Sequence, residues 1–121
     1  SDIFVYDRTT GTTERVCNRQ PNRSSSLPSI SPDGDFVAFS SSADNLVPGD
    51  TNGAVDIFLC DRRSGEIRRV SIGDVGQQAN GDSIVPDVSA GGCVVTFKSI
   101  ADNLIPGDLN QHVDVFARDR A

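Results

Sequence analysis

Oxygen donors on two matching loops are the residues in this chain best suited to chemistry. GDTNGAVD at 49–56 and GDLNQHVD at 107–114 place Asp50, Asn52 and Asp56, and again Asp108, Asn110 and Asp114, at relative positions 1, 3 and 7. Alternating oxygen side chains on a tight loop can converge on one hard cation. Ca²⁺ takes about six to eight oxygens and could draw the remainder from backbone carbonyls and water, so it is the cofactor this pattern admits. The loop is not an EF-hand, because position 5 holds Ala54 or His112 and position 12 holds Asp61 or Asp119 where an EF-hand has its bidentate Glu. A second use is open for the same residues: Asp and Asn close Asx-turns and satisfy loop backbone groups. Asp56 and Asp114 could equally hydrogen-bond within the surrounding sheet. Asp44-Asn45 and Asp102-Asn103 add further loop oxygens.

Catalytic constellations are harder to assemble. His112 is the single histidine, and it lies where the other loop has Ala54. No G-x-S-x-G elbow accompanies it, so a Ser–His–Asp system is not expected. Cys17 has no adjacent base. Cys17, Cys60 and Cys93 are odd in number and lack metal-ligand spacing, which argues against a disulfide framework and makes Cys60 and Cys93 small buried hydrophobes. The pairs Asp7-Arg8, Asp61-Arg62 and Asp119-Arg120 recur. An active site normally occurs once, so recurrence points to geometry: a carboxylate held by turn N–H groups and an Arg laid over the neighbouring surface. No catalytic residue is assigned, and the chain is not expected to be an enzyme.

The elements that position these loops come from an internal repeat. Residues 28–62 align without a gap on 86–120 at an offset of 58, with 19 identities in 35 positions. A partial copy opens the chain, 1–16 matching 55–70 at an offset of 54. Each repeat holds four strands. Strand A is expected at Ser29–Ser31 and Asp87–Ser89, and strand B at Phe36–Ser40 and Cys93–Ser99. Strand C follows the oxygen-rich loop at Asp2–Asp7, Asp56–Asp61 and Asp114–Asp119, and strand D is Thr13–Cys17 and Ile67–Ser71. The turns carry Gly for positive φ. Ile3–Tyr6, Phe36–Phe39 and Ile57–Cys60 are continuous apolar runs, which predicts strands covered on both faces.

Composition agrees with many short strands: Gly and Pro number 11 and 6, and Trp and Met are absent. Eleven Lys and Arg against 17 Asp and Glu give a net charge of −6, which disfavours nucleic acid as a partner. No apolar run is long enough to span a bilayer.

The order S-P-D-G at 31–34, FVAFSS at 36–41, DIFVYDR at 2–8 with DIFLCDR at 56–62, and GTTERV at 11–16 resembles the blades of TolB-type, WD-repeat-like β-propellers. Similar blades occur in periplasmic TolB and in the N-terminal domains of prolyl-oligopeptidase-like enzymes. The resemblance implies an all-β chain, a β-propeller fragment of about two four-stranded antiparallel blades completed by oligomerisation or by the remainder of a larger propeller. One repeat region over 1–121 then divides into a partial blade at 1–17, a full blade at 28–71 and a partial blade at 86–120. In the third, Ala90-Gly91 replaces Pro32-Asp33, which weakens the turn chemistry and leaves the register intact. The function implied is a non-catalytic scaffold that binds a protein or ligand, or assembles as a homo-oligomer. The alternative is the gating propeller of a larger hydrolase, inactive by itself. The resemblance also points toward a bacterial periplasmic or extracellular setting.

Overall fold

A computed structural model describes residues 2–18, 22–47, 53–72, 78–101, 103–104 and 114–119. Among the described residues nine strands build three antiparallel sheets. Phe4–Asp7 (β1) pairs with Thr12–Arg15 (β2). Ser25–Ile30 (β3), Phe36–Ser41 (β4), Asp56–Asp61 (β5) and Glu66–Arg69 (β6) form a four-stranded sheet in that order. Ser83–Val88 (β7), Val94–Ser99 (β8) and Asp114–Asp119 (β9) form a three-stranded one. Strands B and C pair identically in the two copies: Phe39 faces Phe58 and Phe97 faces Phe116.

The continuous apolar runs have the predicted consequence in the middle sheet. Every residue of β4, and all but the last of β5, is buried. Side chains alternate along a strand, so each run feeds two cores. Phe36, Ala38, Ile57 and Leu59 pack with Val88, Val95 and Phe97 toward the third sheet. Val37, Phe39, Phe58 and Cys60 pack with Ile3 and Val16 toward the first. The run at Ile3–Tyr6 behaves differently: Phe4 is 57% and Tyr6 62% exposed. Ile3 and Val5 pack toward the middle sheet, and no described sheet covers the other face of β1.

Strand A runs longer than the sequence indicated, starting at Ser25 and Ser83 rather than Ser29 and Asp87. Pro28 and Pro86 conceal the extension, since proline lacks a ladder donor and marks bulges. The register is interrupted in both copies, between Ser26 and Ser29 and between Ile84 and Asp87. There Leu27 and Val85 each take a φ of 53°. Buried serines hold the entry to the strand: Ser25 donates to the Ser41 hydroxyl at 2.9 Å, and Ser83 to that of Ser99 at 3.0 Å.

The cysteine expectation is overturned. Cys17 and Cys60 form a disulfide across a sequence separation of 43, and Cys93 is exposed. Cys17 lies in a short 3-10 turn at Val16–Asn18, and Cys60 points from β5 toward the first sheet. Their proximity is a property of the packed sheets, which linear spacing does not carry. Cys93 falls in the turn before β8, at the place Asp35 takes in the preceding copy, so it reaches solvent.

Candidate functional site

Asp56 opens β5 and is fully buried. Its carboxylate accepts the Ser71 hydroxyl at 2.9 Å and stands 3.9 Å from the guanidinium of Arg69, whose side chain is 11% exposed. Ser71 in turn accepts the Ile57 N–H at 3.1 Å, and Arg69 donates to Gln78 at 2.9 Å. The first copy repeats the ion pair at the surface, Asp2 to Arg15 at 3.3 Å. The carboxylate of Asp56 therefore ties strand C to strand D. Asp114 begins β9 at the corresponding place, but its side chain, with Asp50, Asn52, Asp108 and Asn110, lies outside the described residues, as do Asp102 and His112.

The neighbouring loop oxygens have defined work. Asn45 accepts the Asn22 N–H at 3.0 Å, and Asn103 accepts the Asn80 N–H at 3.1 Å, one bond in two copies. Asp44 accepts from the Asn22 amide, whose oxygen takes the Asp44 N–H at 3.1 Å. Among the described residues no three His, Cys, Asp or Glu gather closely enough to hold a metal.

The recurrent Asp-Arg pairs are placed as their repetition suggested. Asp7 accepts the Thr9 N–H at 2.8 Å, and Asp61 accepts the Arg63 N–H at 3.0 Å. The Thr9 N–H, followed by the Thr9 hydroxyl, holds the Asp7 carboxyl below its usual range. Arg62 reaches back to the Gly34 carbonyl at 2.6 Å and across to Glu14 of β2 at 3.3 Å. The side chain of Asp119 lies outside the described residues.

Polar contacts between sheets were invisible in the sequence. Asp33 accepts the Ser31 hydroxyl and the Asp35 N–H within its own turn, and the Gly91 N–H of the third sheet at 3.1 Å. The Ser31 hydroxyl, then the Asp35 N–H, lower its carboxyl below the usual range. Ser29 donates to Asp87 at 2.9 Å, and Asp82 accepts the Val55 N–H at 2.8 Å. Gly91 and Asp87 stand at the positions of Asp33 and Ser29 in the next copy, so the Asp33–Gly91 and Ser29–Asp87 bonds join corresponding places of neighbouring sheets. The offset of 58 was the only signal that could have found them.

No family model and no curated protein matches the chain. Among solved structures, TolB from Acinetobacter baumannii matches with a TM-score of 0.57 at 21% identity, over 99% of this chain. The fold is that of TolB-type propeller blades. This chain spans 24% of the TolB chain, and at that identity the likeness concerns the fold. Successive antiparallel sheets, each packed face to face on the next, are the arrangement a propeller requires. Among the described residues no helix is long and apolar enough to cross a membrane.

Proposed function

We propose that this chain is a non-catalytic binding and assembly module whose blades present their connecting loops to a protein or small-ligand partner. One observation carries the reading. Asp7 and Asp61 accept the same turn N–H bond in two copies, and Asn45 and Asn103 the same loop bond in two copies. Catalysis needs a constellation that departs from such repetition, as a nucleophile beside its base does.

Assembly is part of the proposal. Phe4 and Tyr6 occupy the places that Phe58 and Cys60 fill, fully buried, in the middle sheet. An exposed strand carrying the apolar pattern of a covered one invites association. The disulfide favours an oxidising compartment, periplasmic or extracellular. A Ca²⁺ ion on the Asp50, Asn52, Asp56 loop or its repeat at Asp108, Asn110, Asp114 is no part of this proposal, because Asp56 is engaged by Ser71 and Arg69.

Light scattering at micromolar concentration, paired with a panel of hydrolase substrates, tests the proposal. A mass that is a multiple of 12.9 kDa without turnover is expected. A single-chain mass overturns self-assembly, and measured turnover overturns the non-catalytic reading.

A further inference from the structure

The two junctions between sheets follow one rule. At the first, the first sheet offers Ile3, Val5 and Val16, and the middle sheet receives them on Val37, Phe39, Phe58 and Cys60. At the second, the middle sheet offers Ile57, Leu59 and Val70 from the places of Ile3, Val5 and Val16. Val95 and Phe97 of the third sheet receive them from the places of Val37 and Phe39. Each sheet therefore has an offering face and a receiving face. Among the described residues two such faces meet no other sheet: the receiving face of the first and the offering face of the third.

The repeat identifies the residues on both. Phe4 and Tyr6 stand where Phe58 and Cys60 stand on the receiving face of the middle sheet, and both are exposed. Thr96 and Ala117 stand where Ala38 and Leu59 stand on its offering face. They pair across β8 and β9, so they share a face of the third sheet, and both are exposed.

One contact can be followed through the series. Val5 and Cys60 pack in one cluster at the first junction. Their equivalents Leu59 and Arg118 line one cavity at the second. The next pair in this order is Ala117 with Tyr6. The smallest offering residue of the three thus falls opposite the one aromatic receiver, so volume lost from Leu59 to Ala117 is regained from Cys60 to Tyr6. Matched volumes of this kind are what close packing requires.

We propose that a second copy of this chain covers the first sheet, its Thr96 and Ala117 seated on Phe4 and Tyr6, so that the series of junctions continues from one chain to the next. The two faces differ, which makes the contact heterologous and head-to-tail. The proposal rests on the assembly reading above and names the faces that assembly uses.

The test is light scattering on the whole chain and its variants at one micromolar concentration. Tyr6→Asp and Ala117→Asp each place a charge on one face, and each should fall to the single-chain mass of 12.9 kDa. Both positions are exposed within one chain, and circular dichroism verifies that the variants fold. Mixing the two variants leaves one intact pair of faces, so the mixture should show a species of two chains and nothing larger. Arg63→Gln, in the exposed turn after β5, should keep the wild-type mass. An Ala117→Asp protein that stays assembled, or a mixture that stays at single-chain mass, overturns the head-to-tail faces and leaves self-assembly standing. A wild type of single-chain mass overturns both, so the two failures are distinguishable.

Discussion

Replacing Cys17 by Ser, the residue its repeat carries at Ser71, removes the covalent tie between the first two sheets while keeping a small side chain in the turn. The bond closes a loop of 43 residues. Loop-closure entropy of about 2.1 + 1.5R ln n cal/mol/K gives roughly 13 cal/mol/K for this loop, or about 4 kcal/mol at room temperature. Unfolding entropy of about 2.1 cal/mol/K per residue, over 121 residues, converts this to a midpoint lowered by roughly 15 °C. The loss should begin at β1 and β2, because a two-stranded hairpin is marginal alone and this one is held by the disulfide and the Ile3–Val16 core. Thermal melts by circular dichroism of wild type, reduced wild type and Cys17→Ser provide the assay, with hydrogen exchange locating the first opening. The two reduced forms should melt together, and denatured oxidised protein should show a single titratable thiol, from Cys93. A midpoint within about 3 °C of wild type, or three titratable thiols, would refute the reasoning.

Further outcomes are expected. Asp56→Asn should cost about 3 kcal/mol in urea unfolding, since it removes the buried negative charge that stands 3.9 Å from the Arg69 guanidinium. Asp2→Asn, at the half-exposed equivalent pair, should cost under about 1 kcal/mol. Gly92→Ala should cost about 2–4 kcal/mol, because its Cβ would meet the Phe36 ring at 2.7 Å on a backbone with φ of 67°, whereas Gly91→Ala, with Cys93 Sγ at 3.6 Å, should cost about 1 kcal/mol by the same measurement. The lowered carboxyls of Asp7 and Asp33 favour the folded state above their ordinary value of 3.8, and this contribution disappears as pH falls through their folded values; Asp33→Asn should flatten stability against pH below about 4 in acid titrations followed by circular dichroism. Ca²⁺ against chelator should leave the melting midpoint unmoved, because Asp56 is engaged by Ser71 and Arg69, and a rise with Ca²⁺ would show that the loop recruits a cation nonetheless.

The repeat made most of the strand plan legible because hydrogen-bonded neighbours inside a blade are also neighbours in sequence. Strands C and D, joined by turns at Gly11 and Gly65, appeared directly, as did the recurrent carboxylate at the end of strand C. Strand A was underestimated because its first half depends on Leu27 and Val85 in the left-handed region, a conformation that costs such residues about 1–2 kcal/mol and has no local sequence signature. Contacts between blades were hidden for a related reason. Cys17 meets Cys60, and Asp33 meets Gly91, only after separate sheets have packed.

Repetition is also the measure by which the two junctions can be told apart. Their apolar frames correspond residue by residue, Val5 with Leu59, Val16 with Val70 and Val37 with Val95. Each junction also carries ties of its own. The first junction is joined by a disulfide and an Arg62–Glu14 pair. The second is joined by hydrogen bonds from Ser29 to Asp87 and from Gly91 to Asp33, and by the close approach of Gly92 to Phe36. A disulfide constrains the chain independently of pH and salt, whereas the lowered Asp33 carboxyl gives up its bond to Gly91 as it protonates. Acid should therefore loosen the second junction before the first, and reductant the first before the second. Positions that repeat build the blades, and positions that break the repeat decide how each blade is attached to the next.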